Sequence, residues 1–338
     1  MNLSKLLYMH ALQVAAYPLF YRGGNPPKYG ELDIARADQP MAGDKLQLTT
    51  WNIGYGALGA RANFAADGGN DLRALSRAEI EAAVKAIAEE VKKFGSDILL
   101  LQELANPNWL TRQVPVLGQI DDALKSYASS FWEGLRLPYV PKWLNLSHGM
   151  GVFSQKLITD MQAYRLQTES GSIFAGIKKH YAKIVSRLPI DGSDREWVVI
   201  NVHLSAFDKG AKVRQEQIGE VFDMANIEYQ RGNYVVIGGD WNMRLVAKEF
   251  PHETRGTNNF IAPDFPVEKL PKGWQIVADD SVPTVRALHR PYEFGVNNTS
   301  IIDGFAFSPN VSLVDIAAKD MAFKHTDHHP VTGVFQAA

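Results

Sequence analysis

The chain has 338 residues, 46% of them apolar and 21% charged, which is enough material for a large buried core. Its formal net charge of −2 supplies no global positive field to gather nucleic acid, although a local basic groove is compatible with that total. Cysteine is absent, which excludes disulfides and thiolate metal sites; any metal must be held by oxygen and imidazole.

The chain begins with an uncharged run, residues 6–21, interrupted by His10, Gln13 and Pro18. It is shorter and more polar than a spanning helix requires. A helix packed on the domain is favoured here. A signal peptide, with Lys5 in its n-region and Val14-Ala15-Ala16 as a weak cleavage site, and a membrane-surface helix are the alternatives. Cytoplasmic placement is accordingly favoured over export or a membrane surface. With the polar connector that follows, this makes an N-terminal segment 1–45 ahead of one catalytic domain, 46–338. No Pro/Gly/Ser-rich linker divides the latter.

Residues 46–52 alternate like a strand ending in Asn52, and a glycine-marked loop follows. Ser76-Arg77-Ala78-Glu79 is a capping box, and Ile80, Val84, Ile87 and Val91 then recur at helical spacing until Gly95. Residues 97–103 read as a buried strand ending in Gln102-Glu103. A helix is expected over 123–131, an irregular loop around Pro138 and Pro141, and strands over 151–154, 173–177 and 197–203. An amphipathic helix spans 212–229, an apolar strand 234–239 and a long loop 242–298. Strands over 301–307 and 331–335 close the series. Strands and helices mix without strict alternation, which suits sheets covered by helices and fits poorly with a TIM barrel.

Polar residues of one chemical kind stand where the apolar runs stop. Glu103 is a carboxylate at a strand end, the oxygen donor that a hard divalent cation prefers. Asp240 and Asn242 follow Gly238-Gly239, and their spacing of two puts both on one side of extended backbone. His203 ends its strand, where it can donate to a phosphate oxygen. Asp303 interrupts an apolar run and needs a partner; a histidine is the obvious one. Asp327-His328 sets an acid beside a base. Strand ends bearing carboxylates, amides and imidazoles are what metal-assisted phosphoester hydrolysis uses.

In order, Thr50-Trp51-Asn52, Leu101-Gln102-Glu103, Asn201-Val202-His203-Leu204, Gly239-Asp240-Trp241-Asn242, Ile302-Asp303-Gly304 and Thr326-Asp327-His328 resemble the motif series of the endonuclease/exonuclease/phosphatase superfamily, over about residues 46–335. That resemblance implies an α/β four-layer sandwich, two mixed β-sheets packed face to face with helices on both outer sides. It implies Mg²⁺ or Mn²⁺ as cofactor, with Glu103 the main ligand, Asn52 adjacent and Asp327 completing the shell. His328 would be the general base paired with Asp303. Asp240 and Asn242 would position water and phosphate, and His203 would stabilise the charged transition state. Thr326 departs from the usual serine and Trp241 from the commoner phenylalanine or leucine. Asn52-Ile53-Gly54 lacks the second acid of abasic-site enzymes, and His203-Leu204 is closer to the sphingomyelinase-like and deoxyribonuclease-like branches.

The expected function is hydrolysis of a small or lipid-linked phosphoester by a monomer, with peripheral membrane contact possible. A Mg²⁺-dependent nuclease on DNA or RNA is the alternative, and a non-catalytic binding module the second. The remaining signals read blandly. Lys178, Lys179, His180, Lys183 and Arg187 are read as a solvated basic face rather than a phosphate site. Trp132, Tyr139 and Trp143 are read as packing rather than a substrate rim. Thr284 and Arg286 are candidates for substrate contact, and His325 and His329 are expected to point away from His328.

Overall fold

The computed structural model describes residues 29–73, 76–136, 145–169, 179–206, 208, 210–253 and 262–338. The expected helix in 6–21, the loop residues Pro138, Tyr139, Pro141 and Trp143, the expected strand 173–177 and Lys178 lie outside the described residues. In chain order the elements begin with β1 (Tyr29–Glu31), β2 (Lys45–Asn52), α1 (Arg77–Phe94), β3 (Ile98–Ala105), α2 (Val116–Ala123), β4 (Ala128–Arg136), β5 (Ser147–Ser154), β6 (Asp160–Arg165) and β7 (Ala182–Pro189). They continue with β8 (Glu196–His203), α3 (Lys212–Gln230), β9 (Tyr234–Asp240), β10 (Gln275–Val277), β11 (Val285–Arg286), β12 (Thr299–Ser300), β13 (Asp303–Phe307), β14 (Val311–Ala318) and β15 (Val331–Ala337).

Two mixed sheets form, a six-stranded one in the order β14-β15-β2-β3-β5-β4 and a seven-stranded one in the order β1-β6-β7-β8-β9-β13-β10. Each has a parallel pair near its centre joined through a helix: β2-α1-β3 in the first, β8-α3-β9 in the second. Leu46, Leu48, Leu100 and Val152 of the first sheet meet Ile184, Val199, Val236 and Phe305 of the second in a core between the sheets. On the outer side of the six-stranded sheet, Ile80, Val84, Ile87 and Val91 of α1 and Ile120 of α2 cover Leu99, Leu101 and Phe153. On the other side, Ile218, Val221 and Phe222 of α3 cover Val198, Ile200 and Val235. The result is the four-layer sandwich expected from the motifs. Central strands buried on both faces explain why their sequences are continuously apolar rather than alternating.

The α1 limits follow the sequence signals. Ser76 Oγ accepts from the Glu79 amide at 3.2 Å, and Gly95 takes a left-handed φ of 58° that ends the helix. The segment 123–131 is a correction. The helix there is α2, which ends at Ala123, and Ala128 onward is the edge strand β4, paired with β5. Ser129, Ser130, Phe131 and Trp132 are compatible with a pleated ladder, and pairing along the whole of β5 overrides the weak helical signal. Strands β6, β7 and β14 are additions to the series expected from the sequence. β6 and β14 are half-exposed and polar, and β14 lies at a sheet edge where a charge such as Asp315 is ordinary. The connector before β2 is woven into the sandwich: β1 pairs with β6, Ala35 bridges Ser129 and Ala42 bridges Ile190.

A polar tie crosses the interior. Gln102 Nε2 donates to Asn201 Oδ1 at 2.8 Å and to Thr50 Oγ1 at 3.0 Å, and Asn201 Nδ2 donates to the Gly151 carbonyl at 3.0 Å. Both side chains are fully buried, so losing one partner strands the other. Gln102→Leu is therefore expected to lower the unfolding free energy by about 2 kcal/mol. The double replacement Gln102→Leu/Asn201→Leu should cost less than the sum of the single ones in a denaturant titration.

Candidate active site

Strand register builds the site. In the parallel pair β8-β9 His203 lies beside Asp240, and across the antiparallel pair β9-β13 Asp240 lies beside Asp303. In β2-β3 Asn52 lies beside Gln102. These are the carboxyl ends of the two parallel pairs, where open α/β sheets present ligand sites. The two rims meet directly: Asn52 Nδ2 donates to Asp240 Oδ2 at 3.0 Å, while Asn52 Oδ1 accepts from the Gly54 amide at 3.0 Å. The last strand approach is fixed by Trp51 Nε1, which donates to the His328 carbonyl at 3.1 Å, and by Thr326 Oγ1, which donates to the Asn52 carbonyl at 3.1 Å.

Glu103 reaches the site through a β-bulge. Gln102 pairs with Met150 and Leu104 with Gly149, so the β3-β5 ladder skips Glu103, whose φ is +56°. The extra residue re-aims its carboxylate out of the regular alternation and toward His203, whose Nε2 lies 3.9 Å from Glu103 Oε1. Tyr55 (φ 55°) and Asn242 (φ 48°) also hold left-handed backbone. Three of the nine described non-glycine residues with positive φ are thus at the site. The Asn242 amide N–H donates to Asp240 Oδ1 at 2.8 Å, and its side chain donates to the Leu204 carbonyl at 2.9 Å.

The two histidines are held in opposite states. Burial drives His203 well below its ordinary value, helped by the positive charges of Lys179 and His328, so it is a neutral imidazole. Burial also opposes a charged His328, but Asp303, Asp240 and Asp327 outweigh it and push the group well above its ordinary value. His328 Nδ1 bonds to Asp303 Oδ2 at 2.9 Å, leaving Nε2 turned toward Asp240 Oδ2 at 3.8 Å. The neutral His328 that could accept a proton therefore requires that the acidic charge around it be offset.

One geometric cluster and one electrostatically coupled pair of acids could hold a cation. Ligating atoms of Asp240, Asp303 and His328 lie within 4.8 Å of one another. Asp303 and His328 are already bonded to each other, however, and Asp240 is engaged by Asn52 and Asn242. Glu103 and Asp327 are the better pair. Burial pushes Glu103 up to about 7 and raises Asp327 as well, and Asp327 is among the charges that raise Glu103. Two hard oxygen donors that repel each other out of water suit a divalent cation such as Mg²⁺ or Mn²⁺. Gly54, at φ +51°, lets the loop close over them: a Cβ there would stand 2.7 Å from Asp327 Oδ1. The residues expected from the motifs, Asn52, Glu103, His203, Asp240, Asn242, Asp303, Asp327 and His328, thus fall in one buried region.

Other residues take places the sequence did not suggest. Tyr55, partly buried, sets its hydroxyl against Glu103, and burial together with that carboxylate raises it well above the ordinary tyrosine. Lys179 is buried beside His203 rather than on a solvated face, and burial lowers it against the pull of Glu103, Asp240 and Glu169. Burial first, and Lys179 second, push the neighbouring His148 down to about 3. The rest of that basic run is dispersed. Lys183 donates to the Glu220 carbonyl at 2.6 Å and Arg187 pairs with Glu228 at 2.7 Å. Trp132 lines the cleft beside Lys179. Thr284 and Arg286 are struts: Thr284 Oγ1 accepts from the Asp303 amide at 3.1 Å, and Arg286 donates to the Gly59 carbonyl at 2.7 Å. His329 faces away, with Nδ1 on the Pro283 carbonyl at 2.8 Å. A lone sequence signal for Tyr55 or His148 does not exist; both are identified only by the neighbours the fold gives them.

Glu103→Gly is expected to raise the unfolding free energy by about 1 kcal/mol, because glycine adopts this φ without the steric cost. Glu103→Gln keeps the strained backbone and should recover only the electrostatic part, which denaturant titration of both variants separates.

No protein-family model and no curated protein sequence matches this chain. Solved structures do match it. Truncated TDP2 of Caenorhabditis elegans aligns with a TM-score of 0.56 at 16% identity, over 87% of this chain and 98% of that one. The endonuclease/exonuclease/phosphatase protein of Beutenbergia cavernae aligns with a TM-score of 0.54 at 18% identity, over 87% of this chain and 72% of that one. D. rerio TDP2 complexed with a single-strand DNA product aligns with a TM-score of 0.55 at 15% identity, over 87% of this chain and 99% of that one. At these identities the likeness is one of architecture, and it agrees with the two sheets described above: the chain has the endonuclease/exonuclease/phosphatase fold.

Proposed function

We propose that the protein is a divalent-metal-dependent phosphoester hydrolase acting on a small or lipid-linked phosphate. The observation that carries this reading is the His328-Asp303 pair set against a buried group of acids, Glu103, Asp240 and Asp327, at the joined rims of two sheets. Glu103 and Asp327 would hold the metal. When bound, Mg²⁺ or Mn²⁺ supplies charge neutralisation at the phosphate oxygens and lowers the pKa of water. With Nδ1 fixed on Asp303, His328 Nε2 is the atom that takes the proton of the attacking water. Asp240 Oδ2, 3.8 Å away, can accept from that same water and orient it. Neutral His203 donates a hydrogen bond to a phosphoryl oxygen as charge builds there, and Asn242 offers the amide hydrogen that Leu204 leaves free. Phosphoryl hydrolysis gains chiefly from such positioning and charge compensation.

A small or lipid-linked substrate is supported by the near-neutral total charge and by the ion pairs and hydrogen bonds that occupy Lys183 and Arg187. A nuclease is the second reading, favoured by one observation: D. rerio TDP2, of the same fold, is complexed with a single-strand DNA product. Purified protein with Mg²⁺ or Mn²⁺ is expected to hydrolyse bis-p-nitrophenyl phosphate and to lose that activity with a chelator. His328→Ala should lower the rate by about 10²–10⁴-fold without unfolding the chain. Given plasmid DNA, RNA and sphingomyelin-type lipid in parallel, cleavage should be strongest on the non-nucleic substrates. DNA cleavage that His328→Ala abolishes and that falls steeply with salt would establish the nuclease instead.

A further inference from the structure

The turn that delivers Asp327 and His328 to the rim is built against the preference of its own residues. The Lys324 N–H donates to the Met321 carbonyl at 3.1 Å, and the two residues between them, Ala322 and Phe323, have φ of 49° and 50°. A turn with both central residues left-handed is normally filled by asparagine and glycine. Alanine and phenylalanine carry a steric cost there, because Cβ crowds the carbonyl oxygen that follows it. A contact from outside the turn must offset that cost.

His329 is placed to do so. Its ring, 1% exposed, lies flat on the Phe323 ring, with centroids 3.8 Å apart and planes inclined by 12°. Its Nε2 accepts from the Phe323 N–H at 3.1 Å, and its Nδ1 lies 2.8 Å from the Pro283 carbonyl. An amide N–H only donates and a carbonyl only accepts, so Nδ1 carries the proton and Nε2 the lone pair. Asp320 Oδ1 lies 3.4 Å from Nε2 and accepts from the Ala322 N–H at 2.7 Å. The His329 backbone N–H donates to the Thr284 carbonyl at 2.8 Å. His329 thus joins the turn to the segment whose Thr284 hydroxyl accepts from the Asp303 amide. Beyond the turn, the Lys324 carbonyl abuts Gly59, where a Cβ would stand 2.5 Å from it, and Thr326 Oγ1 donates to the Asn52 carbonyl. We infer that His329 is a positioning residue: by holding Ala322 and Phe323 in the left-handed turn, it fixes the place of Asp327 at the rim. The inference rests on the proposed function for what Asp327 binds, but not for the hold itself.

Two replacements separate the two ring nitrogens. His329→Gln can set its amide oxygen where Nε2 stands and keep the acceptor for Phe323, whereas His329→Asn reaches only the Nδ1 position and keeps only the bond to Pro283. Mn²⁺ binding to the whole chain, followed by electron paramagnetic resonance below the melting temperature of each variant, reads the result without turnover. His329→Gln should bind within about threefold of the wild type and His329→Asn at least roughly tenfold more weakly, the loss expected of a buried N–H without its acceptor. Adding Ala322→Gly to His329→Asn should recover most of that loss, since glycine holds the turn unaided. The indole N–H of Trp51, bonded to the His328 carbonyl, reports the same segment without metal. Assigned by its absence in Trp51→Phe, it should exchange with deuterium faster in His329→Asn than in His329→Gln or the wild type. Equal affinities in all three proteins, or a loss that Ala322→Gly does not recover, would overturn the positioning role. So would a loss in His329→Gln as large as that expected of His329→Asn, even if the latter does not fold. A wild-type protein that binds no Mn²⁺ while Trp51 exchange keeps the expected order would remove the cation reading and leave the hold of His329 standing.

Discussion

Four carboxylates, Glu103, Asp240, Asp303 and Asp327, are held almost out of water at one sheet rim, and they repel one another. Buried like charges are tolerated only where something offsets them. His328 offsets part of the charge, bonded to Asp303 and drawn toward Asp240. Much of the local structure is arranged to keep the acids together in spite of that repulsion: the bulge that carries Glu103, the bare Gly54 under Asp327, and the amides of Asn52 and Asn242 that pin Asp240. A site strained in this way gains stability when positive charge arrives, which is the thermodynamic condition for binding a cation tightly.

The sandwich makes that gathering possible. Two crossovers, β2-α1-β3 and β8-α3-β9, each leave a pair of carboxyl-terminal strand ends on the same side. Face-to-face packing then sets one pair over the other, with the buried Gln102-Asn201 bond fixing their relative height just beneath the rim. Few single residues could hold this arrangement; the core between the sheets does most of it, and the polar tie selects one register within it.

Much of this was legible in the sequence because chemistry and burial alternate sharply there. Asn52, Glu103, His203 and Asp240 each end an apolar run, so the strands, their direction and the rim could be read together. Asp303 was legible as a carboxylate among apolar neighbours that needed a histidine, and His328 is that histidine. Lys179 was not legible, because Lys178-Lys179-His180 reads as a charged surface run. Its burial comes from the edge strand β4 and its neighbour β5, whose Trp132 and His148 are remote in sequence. The same strand β4 was misread as helix because its partner β5, not its own composition, decides its conformation. Tyr55 is hidden in a glycine-rich loop, where nothing local marks the left-handed turn that points it at Glu103.

In the proposed function, Glu103 and Asp327 hold the divalent cation between them. Crystals of the protein soaked in Mn²⁺ and measured at the manganese absorption edge locate the ion directly. The expected result is an anomalous peak at about 2.1–2.2 Å from a carboxylate oxygen of each of these two residues, octahedral metal–oxygen distances being of that order. A peak ligated instead by Asp240, Asp303 and His328, with Glu103 free, would contradict it, as would manganese bound only at the surface.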